Sequence, residues 1–569
     1  MKTGFKLSHR LARGFWAVVL AAALAACAGE TLTDPGSNPS ANPVTTITIT
    51  PQAANVAVGG TLQLSALLRD SQGAALSGRP VAWTSGAARI ATISAAGVVA
   101  GADTGTATIT ASSEGKSATA IVTVTRSSGP PPTPEDHAGF FVSSQGTSAG
   151  DGSWMRPWDL ATALANTAGR IQPGDTVWLR GGTYQGSFRS MLRGTASKPV
   201  VVRQYPGERA IIDANGTAVS TWYVGGEYSV FWGFEITNSY PARVLSSTER
   251  RSNVIANYAN HTKYINLVIH DGGVGFYNES PYADVEIVGC VIYNEGFQRP
   301  DRGHGHAIYL RSNTGPVTAR DNIMFNQFGY GVHVFTNLGE GKLNNIRLEG
   351  NISFNNGTLA TNSTASNILF GGDDYSTGGV LRNNYTYDSP GIAAKNVHVG
   401  YGSLQNGTVQ LVDNYFAGGA TVLEVGYWSS LTATNNRLMG TGTVVNLNDP
   451  ALTLSTFAGQ TQGALPTGTK VVVRKNPYEP GRANVVVYNW SGAGSVQLDL
   501  SGILTAGAAF EIRNVQDWFG TPVVSGTYSG GSVTLPIRAV AAPVPVGFSS
   551  SRAPSTGTVF GAYVVMIRP

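Results

Sequence analysis

The segment ARDNIMFN, residues 319–326, recurs along the chain as LEGNISFN at 348–355 and as LRNNYTYD at 381–388. Eight such segments align within this one sequence, and their shared position is occupied by Phe234, Leu267, Cys290, Asn322, Asn351, Asn384, Asn414 and Asn436. Successive members are 33, 23, 32, 29, 33, 30 and 22 residues apart, by subtraction of their numbers. Periods of about 20 to 50 residues are typical of solenoids. The repeat therefore predicts a solenoid with loops of variable length inserted on one side.

The last five aligned positions are all asparagine. We expect these residues at a turn, because Asn tolerates the left-handed backbone conformation. Stacked side-chain amides can also hydrogen-bond from one coil to the next. We therefore interpret the five asparagines, and Cys290 in the same column, as structural residues.

The composition favours many short strands. The chain has 569 residues, of which 71 are glycine and only 13% are charged, so several all-β units are expected. The formal charge of +4 comes from four basic residues within 1–26, and the chain from Cys27 onward has 34 basic and 34 acidic residues. This balance gives no electrostatic reason to expect a nucleic-acid partner.

The N-terminus predicts export. Four basic residues precede the apolar run 15–26, which is too short to span a bilayer as a stable helix. The run ends in Leu24-Ala25-Ala26-Cys27, which resembles a bacterial lipobox. The resemblance implies cleavage after a signal peptide at 1–26 and lipidation of Cys27. It further implies an exported lipoprotein bound to the outer membrane or cell surface, with residues 27–43 as a flexible tether.

Residues 44–125 read as alternating strands separated by glycine turns, which predicts a small β-sandwich. The stretch IATISAAGVVAGADTGTATITA resembles bacterial immunoglobulin-like domains of group 2, which implies a spacer or adhesive module. Residues 126–139 form a proline-rich linker. Alternating strands return at 466–569 and predict an antiparallel C-terminal sandwich, with residues 476–479 and 516–519 as either a carbohydrate patch or a buttress against the solenoid.

Residues 140–450 are the predicted solenoid. Residues 159–166 predict a short helix, and IQPGDTVWLRGGTYQG follows it. These segments resemble the N-terminal cap and first coil of right-handed parallel β-helix proteins of the polysaccharide-lyase, pectate lyase-like superfamily. The expected fold class is all-β, with this β-helix between the two sandwich domains.

Exposed side chains of neighbouring coils should form ladders, because equivalent strand residues lie about 4.8 Å apart. One predicted column contains Tyr309, His333, Leu369, His398 and Glu424, and the neighbouring column contains Arg311, Phe335, Gly371, Gly400 and Gly426. The interior positions would be Ile308, Val332, Ile368, Val397 and Leu423. We therefore expect Tyr309 and His333 on adjacent coils, with Arg311 on the same face.

Cleavage of a uronic-acid polymer by β-elimination needs a cation for the C6 carboxylate, a base for the C5 proton and an acid for the leaving oxygen. Arg311 suits the first role through its planar donor fork. His333 or His306 suits the base, and Tyr309 the acid, although the last two roles can also be reversed. A solvated ladder without chemistry is the competing interpretation.

Further candidates surround this column. We expect His304, Arg302 and His398 to bind substrate, and Tyr427 and Trp428 to stack on sugars. His304 and His306 alternate like a metal pair but lack a third ligand. Asp373 and Asp374 are candidates for Ca²⁺, by analogy with some lyases of this fold, and a solvated turn is the alternative. No other cofactor is expected.

The sequence departs from the related lyases in one respect. Pectate lyases and the alginate or chondroitin lyases of this fold use lysine and arginine, and no such pair lies on one ladder here. A monomeric, surface-anchored lyase acting on an acidic polysaccharide is the leading hypothesis. A glycoside hydrolase, with Glu424 and Asp373 or Asp374 as its acids, a uronate epimerase and a non-catalytic glycan-binding adhesin remain alternatives.

Overall fold

The computed structural model describes residues 42–57, 60–102, 105–125, 137–361, 365–549 and 553–568. The predicted signal peptide, Cys27 and most of the linker lie outside these residues. The chain divides into two compact units at residues 128 and 129, which are described separately. Among the described residues, no helix is long and apolar enough to cross a membrane.

The N-terminal unit is an all-β domain. Its core contains Ile49, Val99, Ile109 and Val122, which are almost fully buried. The two longest strands, Gly105–Ser113 and Lys116–Thr125, pair antiparallel through a tight turn. Its strands are Thr46–Thr50, Ala53–Ala57, Thr61–Gln63, Ser65–Arg69, Ala75–Leu76, Ala82–Ser85, Ala91–Ile93, Val98–Gly101, Gly105–Ser113 and Lys116–Thr125.

The second unit contains a parallel β-helix with three long sheets. The first sheet consists of Phe140–Val142, Thr176–Leu179, Val200–Gln204, Ser229–Trp232, Lys263–Ile265, Val285–Val288, Val317–Arg320, Ile346–Glu349, Gly378–Arg382, Asn406–Val412 and Trp428–Thr434. The second sheet consists of Gly182–Gln185, Ala210–Asp213, Glu235–Thr237, Val268–His270, Val291–Tyr293, Ile323–Phe325, Ile352–Phe354, Tyr385–Tyr387, Tyr415–Ala417, Arg437–Met439 and Thr461–Gln462. The third sheet consists of Phe188–Ser190, Ser220–Val224, Asn253–Asn257, Phe276–Asn278, Ile308–Leu310, Val332–Val334, Ile368–Phe370, Lys395–Val399, Thr421–Val425 and Thr443–Leu447. The predicted solenoid is confirmed, and its last strand lies beyond the expected end at residue 450.

A short helix closes the start of the solenoid. It spans Leu160–Ala165, and the Asp159 carboxylate accepts a hydrogen bond from the Thr162 N–H at 2.8 Å, which caps the helix N-terminus. Asn166 ends the helix with a φ of 44°, in the left-handed region. Leu160 and Leu164 point into the core, so the expected cap helix at 159–166 is confirmed.

The asparagine column is confirmed as a hydrogen-bonded ladder at the turn between the first and second sheets. Each buried side chain passes an amide hydrogen bond to the next coil; for example, Asn351 Nδ2 donates to Asn384 Oδ1 at 3.0 Å and to the Ala319 carbonyl at 2.9 Å. Gln460 accepts the last bond, from Asn436 at 2.8 Å. The expected left-handed conformation is wrong for the ladder residues. It belongs to the residue before each one, as at Asn383, where φ is 54°.

The C-terminal module covers the second sheet. Its five-stranded antiparallel sheet contains Thr469–Lys475, Ala483–Asn489, Phe560–Ile567, Ala509–Asn514 and Val524–Thr527, and the strands Ser495–Asp499 and Ser532–Pro536 pack on its outer side. Val486, Tyr488 and Phe560 pack against the apolar outer face of the second sheet. Two 3₁₀ turns, Leu454–Phe457 and Val515–Asp517, complete the elements described here.

The two segments considered as a carbohydrate patch belong to this interface. Asn476 Nδ2 donates to Asn266 Oδ1 at 2.7 Å, and Lys263 Nζ donates to the Tyr478 hydroxyl at 2.7 Å. In the other segment, the Arg209 guanidinium lies 3.8 Å from the centre of the Phe519 ring. The buttress interpretation is therefore confirmed, while Phe519 is still 45% exposed and the carbohydrate patch stays a prediction.

Candidate functional site

The third sheet carries the predicted ladder on its outer face. Its strand register pairs Tyr277 with Tyr309, Tyr309 with His333, His333 with Leu369, Leu369 with His398, and His398 with Glu424. The alternate residues, including Ile308 and Val332, are completely buried in the solenoid core. The predicted column is confirmed because the strand alternation holds without a bulge over these coils.

His333 lies at the centre of an aromatic cluster. Its ring stacks between Tyr330 and Phe335, with ring centres 4.6 Å and 4.9 Å away, and contacts Tyr309 at 4.7 Å. The side chain is largely buried, and its Nδ1 has no hydrogen-bond partner among the described residues. Burial, together with the nearby His306, holds the pKa of His333 well below its usual value. The imidazole is therefore neutral near pH 7.

His306 supports this cluster from the neighbouring coil. Its ring centre is 4.3 Å from that of His333, and its Nδ1 accepts a hydrogen bond from the Tyr330 N–H at 3.1 Å. Burial, with a smaller contribution from the charge of Arg302, lowers the pKa of His306 to about 3. Because the Tyr330 N–H occupies Nδ1 of His306, whereas Nδ1 of His333 has no partner among the described residues, His306 is better placed to support His333 than to act as the base.

Arg311 is brought to Tyr309, as predicted, but it is also bound by two carboxylates. Its Nε and Nη2 donate to the Tyr309 hydroxyl oxygen at 3.3 Å and 3.0 Å. Its Nη1 lies 3.5 Å from Glu279, and its Nη2 lies 2.5 Å from Glu340. Burial raises the pKa of Tyr309, so the phenol keeps its proton. The sequence interpretation missed both glutamates.

A small hairpin forms the edge of the cluster. The strands Phe297–Gln298 and Gly303–His304 pair antiparallel, and the His304 ring stacks on Phe297. His304 Nε2 lies 3.0 Å from the Asp301 carboxylate, and Arg302 lies beside the same carboxylate at 3.7 Å with an exposed side chain. His304 and Arg302 thus lie at the rim of the cluster, and their role in binding substrate stays a prediction.

His398 belongs to a second polar group on the same column. Its Nε2 lies 3.2 Å from Glu424 Oε1, and Lys395 Nζ lies 2.6 Å from the same oxygen. Asn446 and Asn448 also donate to Glu424, each at 3.1 Å. Burial lowers the pKa of His398 to about 4. Glu424 is therefore fully occupied by local partners and is not joined to Asp373 or Asp374.

Trp428 is wrongly predicted as a sugar-stacking residue. Only 1% of its surface is exposed, and its ring packs in the core beside Phe370, where its Nε1 donates to the Val399 carbonyl at 3.3 Å. The reason is that Trp428 begins a strand of the first sheet, where its side chain turns inward. Tyr427, one residue earlier, is half-buried and stays at the surface.

Asp373 and Asp374 do not form a metal site. Asp373 is exposed, and the Asp374 carboxylate accepts hydrogen bonds from the Tyr375 N–H at 2.7 Å and the Gly339 N–H at 3.2 Å. Within the described parts of the chain, no group of three or more His, Cys, Asp or Glu side chains could hold a metal ion. The residues present therefore do not fit a Ca²⁺ site here.

The chain resembles known proteins in both units. Residues 140–419 match the family model described as Pel9A-like, right-handed β-helix region, and residues 43–124 match the bacterial Ig-like domain of group 2. Pectate lyase L of Thermoclostridium stercorarium is 23% identical in an alignment of 291 residues that covers 48% of this chain and 22% of that protein. Thus the matched region is less than a quarter of this relative's own length.

Solved structures of low identity are also similar in part. Pectate lyase Pel9A is 17% identical, with 58% of this chain and 88% of that chain covered and a TM-score of 0.37. A rhamnogalacturonan lyase is 16% identical, with 53% and 74% covered and a TM-score of 0.36. The family models confirm the predicted right-handed β-helix and the group 2 Ig-like domain.

Proposed function

We propose that this protein, whose solenoid is a pectate lyase-like right-handed parallel β-helix, is a polysaccharide lyase that cleaves an acidic polymer by β-elimination. The matching family model and the pectate lyase relative support a polysaccharide as the substrate class. One observation is the main support for this site. The uncharged His333, whose Nδ1 has no hydrogen-bond partner among the described residues, contacts Tyr309, and the Tyr309 oxygen accepts hydrogen bonds from Arg311. These three residues supply the base, the acid and the cation of the reaction.

His333 is the proposed base. Its ring is uncharged near neutral pH, as a general base must be, but burial keeps its pKa low, so it is a weak base until bound substrate raises its proton affinity. The positive charges of Arg302 and Arg311 contribute to its low pKa. A substrate carboxylate placed between them partly cancels these charges, which raises the proton affinity of His333 when substrate is bound.

Tyr309 is the proposed acid. Its oxygen accepts both hydrogen bonds from Arg311, so the phenol proton remains available to the leaving glycosidic oxygen. Once the proton has been transferred, the same two donors stabilise the phenolate. The geometry thus favours Tyr309 as acid and His333 as base over the reverse assignment.

Arg311 binds the substrate carboxylate in this proposal by exchanging Glu340. Glu340 lies on a surface loop with about 43% of its side chain exposed, and its carboxylate contacts Nη2 of the guanidinium. The Glu340 carboxylate therefore occupies the position that a C6 carboxylate would take. Glu279 remains on Nη1 and keeps the fork oriented.

The test is an incubation of the full-length protein with alginate, pectate and glycosaminoglycans. Absorbance of unsaturated uronides and the number of reducing ends are followed in parallel. We expect both to rise together on at least one polymer. Reducing ends without absorbance would replace the lyase by a hydrolase, and binding without either product would leave only a glycan-binding protein.

A hydrolase is the second candidate because Glu279 and Glu340 both contact one guanidinium, which brings two carboxylates close together. Glycosidases use such pairs at separations of about 5–10 Å. Hydrolysis also needs one carboxyl that stays protonated. The hydrogen bond from Asn337 lowers the pKa of Glu340, so Glu340 is not the carboxyl that stays protonated. The lyase is the first assignment because the family model and the sequence relative are of pectate lyase type.

We also propose that the protein is exported as a monomeric lipoprotein and held at the outer membrane or cell surface through Cys27. The lipobox-like sequence before Cys27 supports this location. The Ig-like domain would then act as a spacer between the anchor and the enzyme. Metabolic labelling with palmitate, followed by light scattering of the delipidated chain, tests the anchor and the monomer separately.

A further inference from the structure

The outer face of the third sheet has a notch at its N-terminal end. The strand register runs from Tyr223 through Ala256 to Tyr277, so one small side chain interrupts a column of aromatic residues. A surface depression of about 360 Å³ lies at this position. Its lining includes Ser187, Arg189, Ser220, Tyr223, Asn253 and Tyr258.

The walls of this depression combine aromatic rings with polar groups. Tyr223 and Tyr258 lie nearly parallel, with ring centres 5.1 Å apart and an interplanar angle of 15°, and both are half-buried. Ser220 and Asn253, which are paired in the strand register, add a hydroxyl and an amide to the lining. Apolar rings with a few placed hydrogen-bonding groups are the usual lining of a small-molecule site.

Arg189 is the charged residue of the lining. Its guanidinium lies 4.0 Å from the centre of the Tyr223 ring and is exposed. Within the described residues it has no carboxylate at salt-bridge distance, whereas Arg311 and Lys395 on the same sheet are both paired with glutamates. In contrast to Arg311 and Lys395, Arg189 can therefore pair its charge with an anionic ligand.

We propose that this depression is an anchoring subsite for an acidic sugar residue of the polymer substrate. The sugar carboxylate binds Arg189, the pyranose ring packs beside Tyr223 and Tyr258, and hydroxyl groups reach Ser220 and Asn253. The subsite only binds and takes no part in bond cleavage. The inference rests on the proposed function for the identity of the polymer, but its binding role can be measured without catalysis.

The subsite lies far from the proposed reaction centre. Four strand steps separate Arg189 from Tyr309 along the register, which corresponds to about 19 Å. A short oligosaccharide cannot reach both places, whereas a polymer can. Anchoring should therefore favour long chains over short ones and act on KM with little effect on kcat.

The experiment compares full-length wild type with Arg189→Gln and with the control Arg347→Gln, an exposed arginine on the outer face of the first sheet. Binding to polygalacturonate, alginate, glycosaminoglycans and a neutral glucan is measured by affinity electrophoresis. We expect Arg189→Gln to weaken binding of an acidic polymer about tenfold or more, and the control to leave it unchanged. Ser187→Trp, which fills the depression from an exposed position, should reduce binding without removing the charge.

The outcomes separate the subsite from the lyase. Arg189-dependent binding without any cleavage keeps the subsite and removes the proposed function. If the protein cleaves the polymer and Arg189→Gln leaves KM unchanged, the subsite is refuted and the proposed lyase function stands. Three results would overturn the inference. They are neutral glucan bound as tightly as an acidic polymer, Arg347→Gln losing as much affinity as Arg189→Gln, and no binding to any of the acidic polymers.

Discussion

Replacing Tyr309 by phenylalanine isolates the proposed general acid. The change removes one oxygen, which accepts two hydrogen bonds from Arg311, and keeps the ring that contacts His333. Losing these partly exposed bonds should lower the free energy of unfolding by about 1–2 kcal/mol, so the protein remains folded. Losing a general acid lowers kcat by about 10²- to 10⁴-fold, which corresponds to about 3–5 kcal/mol of transition-state stabilisation.

The assay is the initial rate of unsaturated uronide formation on the polymer that wild type cleaves. Tyr277→Phe is the matched control, because Tyr277 lies one coil away in the same column and its hydroxyl donates to Glu279. The control should keep most of its turnover, while Tyr309→Phe loses kcat with KM nearly unchanged. If Tyr309→Phe retains more than roughly a tenth of wild-type kcat, Tyr309 is not the acid.

Four further changes test other parts of the structure. Glu340→Gln should lower KM for an acidic polymer by about 2- to 10-fold, because a neutral amide competes less for the guanidinium; a higher KM would show that Glu340 orients the site instead. Burial raises the pKa of Glu295 from 4.5 to about 8, so the folded state binds this proton more tightly than the unfolded state does. The free energy of unfolding of wild type should therefore fall as the pH rises from about 4.5 to 8. Thermal unfolding at pH 5 and pH 8 should show a smaller fall in stability for Glu295→Gln than for wild type, and equal falls would contradict this. Asn351→Ala should lower the free energy of unfolding by about 2–5 kcal/mol in chemical denaturation, since it leaves buried groups of both neighbouring coils without a partner, against less than about 0.5 kcal/mol for the exposed Gln410→Ala; equal values would show that the ladder does not stabilise the fold. Cys27→Ala should move the protein from the membrane to the soluble fraction, and continued membrane recovery would refute lipid anchoring there.

The repeat made most of the solenoid predictable. A coil is defined by local strand alternation and by the spacing of the turn residues, and both are readable in one sequence. The column of outward-facing residues from Tyr309 to Glu424 follows from the same strand alternation. The left-handed conformation is predicted one position too late in the chain. In some coils asparagine occupies both the left-handed position and the hydrogen-bonded position after it, as at Asn383 and Asn384. Spacing alone does not distinguish the residue that turns from the residue that stacks.

The partners of the site were less predictable. Glu279 and Glu340 lie 32 and 29 residues from Arg311, outside the paired strands, so no register places them beside it. The prediction that Trp428 stacks on sugars is wrong for a related reason. Two residues after Gly426 the chain has already entered the next sheet, and the Trp428 side chain points inward. Turn and loop conformations carry these contacts, and their geometry depends on neighbouring coils.

The C-terminal module determines which aromatic face of the solenoid stays accessible. The second sheet carries its own row of stacked rings, in which Tyr293, Phe325 and Phe354 lie nearly parallel at 5.2 Å and 4.9 Å. A bare row of this kind would resemble a sugar platform. Phe560 of the module packs on its end at 4.9 Å, however, and the row is buried. The aromatic row of the third sheet stays half-exposed and is interrupted by Ala256. The aromatic face of the second sheet thus serves stability, whereas that of the third sheet combines aromatic rings, uncharged histidines and Arg189, which has no carboxylate at salt-bridge distance among the described residues. The proposal of an acidic polysaccharide ligand rests on this combination.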